Sequence, residues 1–202
     1  MSKKTLFYVL FFFFLVIGFY VVMSNAGPGF KAITTPPIGT VQPFAFQNQD
    51  GATVTEKNLE GKVVAVEYFF TTCKGICPRL NKNMKSVYEE FKGEKDFLIL
   101  SHTCDPETDS SAKLKHYADS MKVNTAQWIF LTGRKDSLYN MARHSYKIDD
   151  PANNLQSTED DFLHTQFIAL VNRKGEVVKI YDGLKPSEMK LMSKQIRKLL
   201  KS

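Results

Sequence analysis

Two cysteines four positions apart, in Cys73-Lys74-Gly75-Ile76-Cys77-Pro78, are the residues of this chain best suited to do chemistry. Pro78 fits the first position of a helix, where its missing N–H is no loss. Two thiols at such a loop-to-helix junction can point at one spot. The helix start offers unpaired N–H groups and the positive end of a dipole, and Lys74 adds a cation; each favours thiolate over thiol. Gly75 lets the loop turn sharply. Thiolate is the form that binds metal or attacks a disulfide. Soft thiolates suit Cu(I), with zinc as a competitor. Two cysteines alone do not complete a tetrahedral zinc site, and histidine is the usual further ligand. The competing reading is an inert pair, either an exported disulfide or buried free thiols.

The remaining candidates are weaker. Cys104 makes three cysteines in all, an odd number that is no disulfide framework. It reads as a small buried apolar residue, with a fourth metal ligand or a resolving thiol as the alternatives. From its own surroundings His164 reads equally as a surface loop residue or as a ligand. His102 falls at a strand end near the thiols and is a fallback ligand, whereas His116 and His144 fall in helical stretches and read as surface residues. Glu67 interrupts an apolar strand; it either faces the thiols as a proton acceptor or reaches an edge, since a charged, unpaired carboxyl at depth is costly. Asp105 and Asp109 read as helix caps. Met189 and Met192 read as core, and Phe11 to Phe14 as membrane-facing packing.

Positioning the thiols requires a scaffold, and its pattern is visible. Phe44 to Phe46 reads as a short strand before a turn, and Asn58 to Gly61 as another turn. Lys62 to Phe70, KVVAVEYFF, reads as a central strand buried on both faces. Thr71 to Cys77 is a loop. Leu80, Met84, Val87, Tyr88 and Phe91 recur at helical spacing, with Gly93 as the stop. Phe97 to Leu100 and Trp128 to Leu131 read as further strands. Helices are expected around Leu114 to Met121, over Asp136 to Tyr146 and from Pro186 onward. Thr165 to Asn172 and Glu176 to Tyr181 flank a turn and read as a hairpin. Alternating strands and helices predict an α/β domain with a mixed central sheet flanked by helices, a thioredoxin-like fold. Ligand sites in such sheets lie beyond the carboxyl ends of strands, where Cys73, Cys77 and Cys104 all fall.

The chain has 202 residues, 43% apolar and 24% charged, enough for one anchor and one self-sufficient core. Residues 1–4 carry Lys3 and Lys4. Residues 5–23 form an uncharged run, 19 residues long, that crosses most of a bilayer core. The positive-inside rule places the N-terminus in the cytoplasm and the remainder outside it, so the expectation is a single-pass inner-membrane protein with its domain in the periplasm or extracytoplasmic space. A cleaved signal peptide ending near Ala26 is the alternative, though its apolar region would be overlong. Residues 24–43, rich in Pro and Gly, read as a stiff tether, and residues 44–202 as the domain. The formal charge is +6 and the lysines recur singly, which argues against nucleic acid as a partner. A basic surface can still assist docking to an acidic protein or to lipid headgroups.

Cys73-x-x-x-Cys77-Pro78, preceded by the GKVVAVEYFF strand and followed by Asp105-Pro106-Glu107-Thr108-Asp109, closely resembles the Sco/SenC family from about Phe44 to the C-terminus. The resemblance implies copper, as Cu(I) or Cu(II), held by Cys73, Cys77 and His164. It also implies delivery to the CuA centre of cytochrome c oxidase subunit II or another exported copper protein. The alternative is a thiol-disulfide oxidoreductase in which Cys73 and Cys77 reduce the cysteines of that centre or of other exported proteins. Only the second reading makes the chain an enzyme. A third class, a redox sensor, would need the pair only to switch shape. Two departures stand out: family members commonly carry Asp before the histidine, where this chain has Leu163, and an apolar residue before Asp105, where this chain has Cys104. Asp160 or Asp161 is the candidate substitute partner for the imidazole.

Overall fold

The structure is a computed structural model that describes residues 2–25, 36–149 and 165–202. The chain divides into two units, Met1–Pro36 and Pro37–Ser202. In the first, helix α1 (Lys3–Asn25) contains a stretch, Lys3–Val22, long and apolar enough to cross a membrane.

The second unit is built on one eight-stranded sheet. Along the chain run β1 (Gly39–Thr40), β2 (Ala45–Asn48), β3 (Thr53–Thr55), β4 (Val63–Phe69), α2 (Cys77–Glu90), β5 (Phe97–Thr103), α3 (Ser111–Met121), β6 (Trp128–Thr132), α4 (Lys135–Asn140), β7 (Phe167–Val171), β8 (Glu176–Asp182) and α5 (Pro186–Leu200). Their spatial order is β1-β8-β7-β4-β5-β6-β2-β3. The central β4, β5 and β6 are parallel, and the pairs outward from them are antiparallel.

The period of two along each strand divides the core into two layers. Val63, Ala65 and Phe69 of β4 face a layer filled by Leu80, Met84, Val87 and Tyr88 of α2, Leu114 and Ala118 of α3, and Met189, Met192 and Ile196 of α5. Val64, Val66 and Tyr68 face the opposite layer with Phe44, Phe46, Leu138 and Tyr146. Each such fully buried side chain contributes about 1.5–3 kcal/mol. The methionines are therefore core, as their spacing indicated. The helices expected after β4, after β5 and from Pro186 all form, and so does the hairpin of β7 and β8.

Four local features differ from expectation. The Pro/Gly-rich tether is part of the sheet at its end: Gly39 and Thr40 pair with Val177 and Glu176, and Gln42 N–H donates to Ser145 Oγ at 3.0 Å. Between Pro37 and Pro43, the N–H groups of Ile38 and Val41 donate to the Val177 and Gly175 carbonyls at 2.8 Å, which suffices for a short edge strand. Strand β5 continues three residues past Leu100, because Ser101, His102 and Thr103 are all buried despite their polarity. The helix expected over Asp136 to Tyr146 is α4 followed by a π-helical turn at Met141–Ser145. Asp109 does not cap α3; Ser110 does, accepting from Lys113 N–H at 3.4 Å.

Candidate metal centre

The cysteine loop leaves the carboxyl end of β4 and runs into α2, whose first residue is Cys77 with Pro78 beside it. Asp109 holds this loop down. Fully buried, its carboxylate accepts from Thr71 N–H at 3.0 Å, from the Thr71 hydroxyl, and from Thr103 Oγ1 at 2.7 Å. Thr103 Oγ1 in turn accepts from Asp105 N–H at 2.9 Å. One carboxylate thus joins the ends of β4 and β5 to the start of the loop. Thr71 and Thr103, the donors that convert Asp109 from a cap into a clamp, were the overlooked signal. Gly75 makes no use of its freedom: its φ is not positive, and a Cβ there would meet nothing within 4 Å.

All three cysteines are free thiols. Cys73 is half-buried and Cys77 buried. Burial pushes the Cys73 thiol up, but a hydrogen bond from Cys77 and the N–H groups of Cys77, Gly75 and Ile76 outweigh it, so its pKa lies below the ordinary value. Those N–H groups are the unpaired donors of the helix start. Cys77 moves the opposite way. Desolvation, donation to Cys73 and the nearby charges of Cys73 and Glu67 push it up to about 12, against a lowering hydrogen bond from the Phe70 backbone. The two thiols therefore differ: an accessible sulfur inclined to thiolate, and a buried one inclined to stay protonated.

Glu67 faces this layer and is fully buried. Its Oε1 accepts from Ser101 Oγ at 2.6 Å, and Ser101 Oγ accepts from Trp128 Nε1 at 2.8 Å. Desolvation, partly offset by Ser101, raises its pKa to about 7. It does not reach an edge. Cys104 is buried in the opposite layer. Burial first, then the charges of Cys77, Asp109, Cys73 and Asp105, push its thiol well above the ordinary value. That agrees with an apolar role. His102 is excluded as a fallback ligand: it is fully buried in the layer away from Cys77, stacked on Tyr68 at 4.9 Å and edge-on to Phe46 at 5.5 Å. Burial lowers its pKa to about 3. His116 and His144 are exposed.

His164, Leu163, Asp160 and Asp161 lie outside the described residues. Among the described residues no three His, Cys, Asp or Glu side chains converge on a metal site, so the thiol pair stands alone there. The chain that follows His164 is held by side-chain and backbone hydrogen bonds. Thr165 Oγ1 donates to the Ile148 carbonyl at 3.0 Å and accepts from Phe167 N–H at 3.1 Å. Gln166 Nε2 donates to Asp182 at 2.9 Å, and the Gln166 carbonyl accepts from Gly183 N–H at 2.9 Å. Gly183 lies directly against α2: a Cβ there would come within 2.1 Å of Leu80 Cδ1 and 2.8 Å of Ile168 Cδ1. The start of β7 is therefore secured, through Gly183, to the first turn of the helix that carries Cys77. The antiparallel register agrees, pairing Val66 with Ala169 so that β7 begins near the end of β4.

Residues 34–201 match the family model described as SCO1/SenC. A SCO1 protein homolog from Bacillus subtilis (strain 168) is 34% identical over 160 residues, covering 77% of this chain and 80% of that protein. The solved structure of BsSco, reported for a disulfide switch in a member of the Sco family of cytochrome c oxidase assembly proteins, superposes with a TM-score of 0.68 at 29% identity, covering 83% of this chain and 97% of the other. Arabidopsis thaliana ScoI with copper bound superposes with a TM-score of 0.62 at 26% identity, covering 81% of this chain and 98% of the other.

Proposed function

This chain belongs to the SCO1/SenC family, and from that premise we propose that it carries copper for the assembly of cytochrome c oxidase. In this reading the cargo is held by Cys73, Cys77 and His164 and passed to the CuA centre of subunit II. Helix α1 anchors the chain as a single inner-membrane span, with the domain on the extracytoplasmic side. The observation that carries the reading is the polarised thiol pair at the start of α2. The helix start lowers the pKa of the outer thiol, whereas burial raises that of the inner one. A donor set of two thiolates is soft, which suits Cu(I), and it leaves room for an imidazole. The anchored start of β7 supports His164 as that donor, because only Thr165 separates it from Gln166, which is bonded to the segment lying on α2. The copper-bound relative supports the identity of the cargo.

Metal analysis of the full chain in detergent micelles tests this. Reduced wild-type protein, exposed to Cu(I) and desalted, is expected to keep one copper per chain, and Cys73→Ser none. Equal copper in the two would end the carrier reading.

The division of the thiols also supports a second reading, thiol-disulfide exchange. Cys73 thiolate attacks a disulfide of an exported partner, forming a mixed disulfide and releasing one partner thiolate. Cys77, once deprotonated, attacks Cys73 Sγ, closing the Cys73–Cys77 disulfide and releasing the second partner thiol. The partner gains two electrons and the pair loses them. The disulfide switch of BsSco is consistent with such a cycle. Near pH 7, iodoacetamide is expected to modify Cys73 well before Cys77 and Cys104, as read by peptide mass mapping. Equal rates at Cys73 and Cys77 would remove the basis for assigning Cys73 as the attacking thiol.

A further inference from the structure

Several of the lysines that recur singly along the sequence are, contrary to the reading of a spread-out charge, gathered by one helix of the fold. Residues 185–201 hold six cations against a single carboxylate, Glu188, so most of the formal +6 resides there. Helix α5 arranges these cations. Its apolar positions Met189, Met192 and Ile196 are buried in the core. The exposed positions include Lys190, Lys194, Arg197 and Lys198, and Lys201 follows at the cap. That spacing of four, three, one and three puts all five within an arc of about 100°, at 3.6 residues per turn. The stripe is about 16 Å long. Arg197 is paired with Glu90, but among the described residues Lys190, Lys194, Lys198 and Lys201 enter no ion pair. Elsewhere on the domain several cations are paired, as Lys62 and Arg173 are with Asp96.

We propose that this face of α5 is a docking surface for anionic phospholipid headgroups, which lays the domain against a bilayer. Few large apolar side chains stand exposed beside the stripe, although a groove lined by Val87, Pro186 and Met189 opens at Lys190 and Arg197. Outside α1, the large hydrophobic residues exposed among the described residues are Ile38, Phe167 and Leu191, of which only Leu191 adjoins the stripe. The fully buried centre of a protein interface is more apolar than the rest of the surface and depleted of charge. A headgroup layer needs only cations, each of which adds attraction that salt screens. The chain also carries its own membrane-spanning candidate in α1. Once that helix is inserted, headgroups are present at high effective concentration, so weak individual contacts suffice.

Trp128, the single tryptophan, is buried in β6 and serves as the probe. The full chain is placed in lipid nanodiscs carrying dansyl-labelled headgroups, and energy transfer from Trp128 is measured. Transfer is expected to rise when phosphatidylcholine is replaced by a mixture containing phosphatidylglycerol. The rise should vanish at high salt. It should also vanish in a variant combining Lys190→Glu, Lys194→Glu, Lys198→Glu and Lys201→Glu, and in the milder variant with Gln at the same four positions. Equal transfer in both lipids, or a rise that both variants retain, overturns the proposal. Failure of the chain to co-purify with nanodiscs would instead count against α1 as an anchor, so the two readings fail separately.

Discussion

Replacing His164 by alanine is expected to weaken Cu(I) binding by about a hundredfold or more, while leaving Cys73 and Cys77 free to oxidise. Even outer partners of metal ligands cost about 10–100-fold when removed, so a ligand should cost at least as much. Among the described residues no imidazole joins the two thiols. His102 lies in the other core layer, and His116 and His144 are exposed on α3 and on the π-helical turn. Among the described residues no third donor joins the two sulfurs. The affinity is read by competition with a Cu(I) chelator on the full chain in micelles, and the thiols are counted before and after mild oxidation. An unchanged affinity would remove copper carriage as the function and leave thiol exchange as the surviving account.

Asp109→Ala should be the most damaging substitution near the site that touches no metal ligand. The carboxylate accepts three hydrogen bonds, two from Thr71 and one from Thr103, and Lys113 lies 3.9 Å away. Alanine leaves those donors without an acceptor, at about 1–3 kcal/mol for each that stays buried. The expected loss is about 3–5 kcal/mol, comparable to breaking a buried pair. For a domain of this size that lowers the melting midpoint by roughly 10 °C. Without the clamp, the loop no longer holds the N–H groups of Gly75, Ile76 and Cys77 toward Cys73, so the alkylation rate of Cys73 at neutral pH should fall. Calorimetry and alkylation kinetics test the two effects separately. A midpoint within about 2 °C of wild type would show that Asp109 does not secure the loop.

Strong periodicity made most of the fold legible. The uninterrupted apolar run of β4 and the spaced apolar face of α2 leave few alternatives, and Pro78 marks the helix start. The same features made Cys73 and Cys77 stand out. Polar residues in the core were harder. Ser101 and Thr103 belong to β5 because Glu67, Trp128 and Asp109 satisfy their hydroxyls, and those partners come from distant parts of the chain. No local pattern carries that information. Strand β1 was hidden for the opposite reason: its register comes from β8, while its own neighbours are prolines. Asp109 looked like a cap because it precedes α3, yet its partners lie on the other side of it in space. The local sequence of His164 leaves ligand and surface roles even, and only the family resemblance singles it out.

The two-layer core has one more effect, on which donor atoms a metal can ever meet. Ser101 and His102 are neighbours on β5, yet the pleat sends one toward the thiols and the other into a ring of Phe44, Phe46, Tyr68 and Tyr146. The sheet thus acts as a partition that quarantines an imidazole from soft metal. A shift of β5 by a single residue would exchange them and set a competing nitrogen beside the sulfurs. Faithful strand registration is therefore also what keeps this imidazole away from the thiol pair.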